Sequence, residues 1–246
     1  MSPFDQRLTI MSMQFRRLGD SGLEVSEICL GTMMFGDRTD AATSQRIIAS
    51  AFDAGVNFID TADAYVNGAS ESIVGPAIAA NRRRWILATK VGNVMTQAPH
   101  DGGLSRRWVM QACEDSLKRL ATDYIDIYYL HKDDTETPLS ETIEAMGDLI
   151  RAGKIRYFGV SNYRGWRIAE VVGAVRRSGR AAAGGMPALL QRDEPRARGR
   201  DSSRLRLSRH RRRALQPARA RDPDRQVSAR RRAAGRTRAS GARISG

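Results

Sequence analysis

Short apolar runs alternate along the chain with longer stretches whose apolar positions recur at helical spacing. The runs cover 27–31, 57–60, 85–90, 124–131 and 156–161, each of strand length and each ending in a small or polar residue. Helices are predicted between and after them. Over 43–54, Ile47, Ile48, Ala51 and Phe52 share one face. Over 105–121, Ser105 stands in the capping position, and Val109, Ala112, Ser116, Leu117 and Leu120 follow at i, i+3, i+4 spacing. Further helices are expected over 71–80, over 140–152, where Gly153 supplies the stop, and over 165–177. Before the first run, 15–18 and 23–26 flank Gly19-Asp20-Ser21-Gly22 and read as a short hairpin.

Strands that alternate with helices imply a parallel sheet. The runs end at Gly31, Asp60, Lys90, His131 and Ser161, so the steps are 29, 30, 41 and 30 residues. A doubly wound dinucleotide-binding sheet is possible, but no G-x-G-x-x-G follows the first strand. A (β/α)8 barrel fits the metre, and eight such units need about 250 residues.

Composition divides the chain near Arg180. Residues 181–246 hold 19 Arg, no Lys and five acids, a net charge of +14, whereas the first 180 residues balance at 22 basic and 22 acidic groups. Every Phe, Tyr and Trp lies in those first 180. A uniformly basic nucleic-acid-binding fold is thereby excluded. The tail could bind phosphate non-specifically, but it has no aromatic residue for stacking, so no specific nucleic-acid partner is expected. No run of about 18 apolar residues exists, so no membrane span is expected. Residues 1–12 read as a loose extension without an apolar signal core. Cys29 and Cys113 have neither a disulfide framework nor metal-ligand spacing, which suits buried thiols in a reducing cytoplasm, and no metal site is expected.

The residues at the strand ends carry the chemistry. Barrel closure gathers strand C-termini at one rim, where Asp60, Lys90 and His131 would meet, with Tyr65 on the next loop. A phenol is a poor acid at neutral pH. An adjacent ammonium favours its phenolate, a carboxylate holds that ammonium charged and aimed, and a neutral imidazole can donate to a substrate oxygen. Together these groups suit protonation of a carbonyl oxygen as hydride reaches its carbon. Taken singly, Asp60 could cap a turn, Lys90 could be a solvated surface charge, His131 a structural histidine, Tyr65 a packing residue and Ser161-Asn162 a helix cap.

GTMMFG at 31–36, FIDTADAY at 58–65, ATKVG at 88–92, YIDIYYLH at 124–131 and GKIRYFGVSNY at 153–163 resemble the aldo-keto reductases, in family order, from about residue 15 to 177. The resemblance implies a (β/α)8 barrel that reduces an aldehyde or ketone, its small-molecule substrate, with NADP(H). It makes Tyr65 the general acid, Lys90 and Asp60 its tuners, and His131 the carbonyl orienter. It gives Ser161 and Asn162 to the nicotinamide carboxamide, with Asp60 alongside, and Gly31, Thr32 and Met33 to the floor of the cofactor site. Met33, Met34, Phe35 and Trp85 are candidates for an apolar pocket, although core packing suits Trp85 better. The substrate and the oligomeric state stay open.

Strands six to eight are not legible. From about residue 181 no strand-like run is expected; Ala188-Leu189-Leu190 is the bulkiest apolar stretch there. One explanation is a reading-frame slip near 179–184, since 184–195 and 213–227 can be encoded by nucleotides whose alternative frame spells reductase-like sixth and seventh strands. Translating the gene in that frame tests it. A half barrel lacking its cofactor clamp is expected to be poorly folded and nearly inactive. Three classes therefore stand side by side: a carbonyl reductase, a cofactor-sensing or partner subunit without turnover, and an inactive frameshifted fragment.

Overall fold

A computed structural model describes residues 13–178 other than Asp20, together with the backbone of 188–192. An antiparallel hairpin comes first, β1 (Phe15–Arg17) and β2 (Glu24–Ser26). There follow β3 (Cys29–Gly31), α1 (Ala41–Asp53), β4 (Phe58–Asp60), α2 (Ala69–Ile78), β5 (Ile86–Val91), α3 (Arg106–Leu120), β6 (Ile125–Leu130), α4 (Leu139–Arg151), β7 (Ile155–Ser161), α5 (Gly165–Arg177) and β8 (Ala188–Arg192). Strands β3 to β8 form one sheet in chain order, every neighbouring pair parallel. This is the expected α/β architecture, consistent with part of a barrel.

Local chemistry sets the boundaries. Helix α1 starts at Ala41, earlier than the apolar pattern predicts, because Asp40 Oδ1 accepts from the Thr43 amide at 2.7 Å. Helix α3 starts where Ser105 Oγ accepts from the Trp108 amide, and it ends at Ala121 in the left-handed region. Its buried face is the one the spacing predicts, with Cys113 added.

Successive strand residues face opposite ways. Ile59, Leu87, Tyr128 and Phe158 pack into the large core beneath the helices. Phe58, Ala88, Ile127 and Tyr129 form a smaller cluster on the other face, with Leu18 and Leu23 of the hairpin packed against it. Both faces of the sheet are thus covered, and β4 and β6 read as unbroken buried strands. Phe35 and Trp85 belong to the large core rather than to any pocket.

One expectation is corrected. A sixth parallel strand, β8, occupies 188–192, where the sequence pattern offers no strand-like run; it pairs Ala188 with Phe158 and Leu189 with Gly159, with a register irregularity before Ser161 meets Arg192. Parallel pairing is made by main-chain groups, so the edge of β7 imposes it where side-chain alternation is weak. The expectations for residues 1–12, for the rest of the tail and for the reading-frame slip lie outside the described residues.

Candidate active site

Asp60 is the last residue of β4 and Lys90 lies near the end of β5, while His131 directly follows β6. Parallel register sets Asp60 beside Ala88, and the His131 amide donates to the Val91 carbonyl at 2.7 Å. Three strand ends thus deliver a carboxylate, an ammonium and an imidazole to one rim. Tyr65 comes from the loop after β4, where its amide donates to the Ala62 carbonyl.

Lys90 is 1% exposed. Its Nζ lies 2.8 Å from Asp60 Oδ2, 2.7 Å from the Thr61 carbonyl and 3.0 Å from Tyr65 Oη. An ammonium has three protons and no acceptor. All three contacts are therefore donations by Lys90, including the one to Tyr65. The phenol oxygen accepts, so its own proton remains available to another acceptor.

The His131 ring stands edge-on to Tyr65, centroids 5.8 Å apart. Its Nδ1 lies 2.9 Å from Asn93 Nδ2. With the Asn93 amide donating, the neutral imidazole carries its proton on Nε2, the form that can donate to a carbonyl oxygen. Asn93 escapes sequence reasoning, since nothing distinguishes it from a loop polar residue three positions beyond Lys90. A cleft of about 540 Å³ opens over these groups, lined by Tyr65, His131, Asn93, Met33, Met34 and Asp37, with Ala64 and Val66.

Residues fit to hold a flat, amide-bearing ring lie on the same rim. Ser161 ends β7, and Asn162 follows in the left-handed region at φ +60°, its Nδ2 donating to the His131 carbonyl at 2.8 Å. Gly31 is exposed, and no atom lies within 4 Å of where a Cβ would stand, which leaves an open floor. Met33 is exposed beside it. Thr32 is buried instead; its hydroxyl bonds Ser70 Oγ at 2.8 Å and the Asp60 carbonyl at 3.1 Å, so its side chain braces the floor from beneath.

Asp63, between Asp60 and Tyr65, is also buried, and neither carboxyl oxygen has a hydrogen-bond partner among the described residues. Burial, reinforced by the charge of Glu71, pushes it up to about 7. A carboxyl held protonated by the fold stabilises the folded state fully below about pH 4, and that advantage fades as pH rises through 7. Asp63→Asn, which does not titrate, is accordingly expected to gain stability over the native chain between pH 4 and 8, on the order of 2–4 kcal/mol. Thermal unfolding across that range checks this; a pH-independent difference rejects it. Burial likewise pushes the Cys113 thiol up to about 12, which suits an inert packing group.

The model of the Aldo/keto reductase family matches residues 27–187. The chain is 42% identical over 170 residues to the uncharacterized oxidoreductase YrpG of Bacillus subtilis (strain 168), covering 64% of this chain and 52% of that protein. It is 39% identical over 171 residues to a probable voltage-gated potassium channel subunit beta of Arabidopsis thaliana, covering 67% and 51%. It is 35% identical over 171 residues to L-glyceraldehyde 3-phosphate reductase of Escherichia coli (strain K12), covering 67% and 49%. The chain spans about half the length of these curated relatives. No helix among the described residues is long and apolar enough to cross a membrane.

Proposed function

Because this chain belongs to the aldo/keto reductase family, we propose that it carries the proton-donating half of an NADPH-dependent reductase that converts an aldehyde or ketone to an alcohol. The observation that carries this reading is the saturated ammonium. With Lys90 donating to Asp60, Thr61 and Tyr65 at once, the Tyr65 proton is the one left to give.

When bound, NADPH supplies hydride to the carbonyl carbon. The chain's own residues handle the oxygen. His131 Nε2 donates to it and fixes its direction, Tyr65 Oη transfers its proton to it, and the resulting phenolate stays in contact with the Lys90 ammonium, whose charge Asp60 balances. Ser161 and Asn162 supply the hydroxyl and amide for the carboxamide, and Gly31 and Met33 the floor. Met33, Met34, Ala64 and Val66 make much of the cleft wall apolar, which suits a carbonyl substrate with an apolar body. The preference for NADP over NAD is carried by family resemblance, and a cytoplasmic setting by two cysteines, Cys29 and Cys113, that form no disulfide framework.

NADPH oxidation with a simple aldehyde tests the proposal. Tyr65→Phe is expected to lower the rate on the order of 100-fold or more, with the fold retained. Equal rates for the two chains defeat it. The likeness to a channel β subunit supports a second reading, a cofactor-binding partner subunit; NADPH fluorescence that saturates without turnover selects it. Neither binding nor turnover selects the inactive fragment.

A further inference from the structure

The turn that follows Tyr65 is wound the wrong way for its residues. Val66, Asn67 and Gly68 lie in succession at φ +49°, +52° and +87°. For a β-branched valine that region is strained, and it persists only where the surroundings over-determine it. Yet the phenol one residue earlier must reach Lys90 at 3.0 Å. Something outside the turn holds it.

That something is an ion pair on the helix side of the sheet. Glu71, in the first turn of α2, is wholly buried. Its Oε2 accepts from Arg119 Nε at 2.7 Å, and its Oε1 accepts from Thr89 Oγ1 at 2.5 Å. Thr89 immediately precedes Lys90 on β5. Arg119, on α3, also donates to Ser116 Oγ at 3.2 Å and lies directly across Gly68. A Cβ on Gly68 would stand 2.7 Å from Arg119 Cδ and 2.9 Å from Nε, so this position accepts only glycine while the arginine is in place. One carboxylate therefore ties the helix that follows Tyr65 to the strand that carries Lys90, and its cation closes the turn between them.

We propose that Glu71 and Arg119 are positioning residues which hold the Tyr65 hydroxyl against the Lys90 ammonium. This rests on Tyr65 being the proton donor. Neither residue lines the cleft: Glu71 acts through Thr89, the chain neighbour of Lys90, and Arg119 through the turn at Gly68, which the Ala69 amide closes by donating to the Tyr65 carbonyl. A buried carboxylate is costly unless paired and hydrogen-bonded; here the pairing also sets the geometry of the site.

The test uses the full chain labelled with [13Cζ]tyrosine, in which the NMR signal of Tyr65 is identified by its loss in Tyr65→Phe. The reference for a broken contact is the double variant Lys90→Met/Asp60→Asn. In Glu71→Gln and in Arg119→Met the Tyr65 signal is expected to move at least about half-way to its position in the reference, while the signals of Tyr124 and Tyr157 stay in place. Arg119→Lys, which keeps the charge facing Glu71, is expected to recover most of the native position. A Tyr65 signal that stays native in folded variants overturns the proposal. So do Tyr124 and Tyr157 moving as far as Tyr65, or loss of the folded spectrum in both variants, since the pair is then merely structural. If the reference variant itself leaves Tyr65 unmoved, the Tyr65–Lys90 coupling fails first, and the positioning role falls with it.

Discussion

Gly75→Ala is expected to destabilise the protein by about 3 kcal/mol or more, although alanine is the better helix former. Gly75 lies mid-way along α2, where propensity alone favours alanine by about 1 kcal/mol. The opposing effect is a clash with backbone. A Cβ on Gly75 would stand 2.3 Å from the Leu120 carbonyl oxygen, 2.5 Å from its carbon and 2.7 Å from Cα. Main chain at the end of α3 cannot rotate aside as a side chain can, so the two helices must separate or tilt. Both pack into the same core, α2 through Val74 and Ile78 and α3 through Leu117 and Leu120, and that core is disturbed with them. Gly173 in α5 is the control: there the nearest atom is Arg177 Nη1 at 3.1 Å, the far end of a flexible side chain. Gly173→Ala is expected to be neutral or stabilising. Thermal unfolding followed at 222 nm should show Gly75→Ala melting roughly 6–12 °C lower. An unchanged or raised midpoint would show that the helices yield easily, and the close crossing would then have no energetic meaning.

What could be read from sequence and what could not divide along the same physical line. Local signals were sufficient for α5, which spans Gly165–Arg177 as its periodicity predicts, and for the start of α3 at its Ser105 cap. The order of strands was legible because strand–helix alternation permits few topologies. Asp60, Tyr65, Lys90, His131, Ser161 and Asn162 were legible through motifs at strand ends, and the structure gathers them at one rim. Contacts over long sequence separation were not. Glu71 and Arg119 are 48 positions apart and look like two solvated helix charges until α2 and α3 pack. Asp63 sits within a recognisable motif, but the burial of its carboxyl oxygens without a hydrogen-bond partner among the described residues is a property of the packed core. Helix α2 begins at Ala69, ahead of the expected 71, because three left-handed residues precede it and two of them are not glycine. Thr32 was legible as part of a loop, but its burial beneath that loop depends on Ser70, 38 residues on.

Lys90→Met is expected to cost about 3–5 kcal/mol of stability as well as turnover, and the two losses can be separated. Asp60 and Lys90 are an interior ion pair; their side chains are 6% and 2% exposed, 2.8 Å apart. Removing the cation leaves a carboxylate in a dry site without the charge opposite it, and leaves the Thr61 carbonyl without its 2.7 Å donor. The size of the penalty comes from desolvation rather than from the attraction itself, because a matched neutral pair is often as stable as a buried ionic one. It follows that Lys90→Met/Asp60→Asn should recover most of the lost stability. It should not recover NADPH oxidation, since no ammonium then stands beside the Tyr65 oxygen to receive the developing phenolate. Denaturant titration and a 340 nm assay on the native chain, the single variant and the double variant together decide the matter. A single variant within about 1 kcal/mol of native, below the range for a broken buried pair, would place Asp60 and Lys90 in contact with water. A double variant that turns over would remove the ammonium from the chemistry altogether. Stability regained without activity is the result that assigns the pair to catalysis, because a purely structural ion pair would yield both or neither.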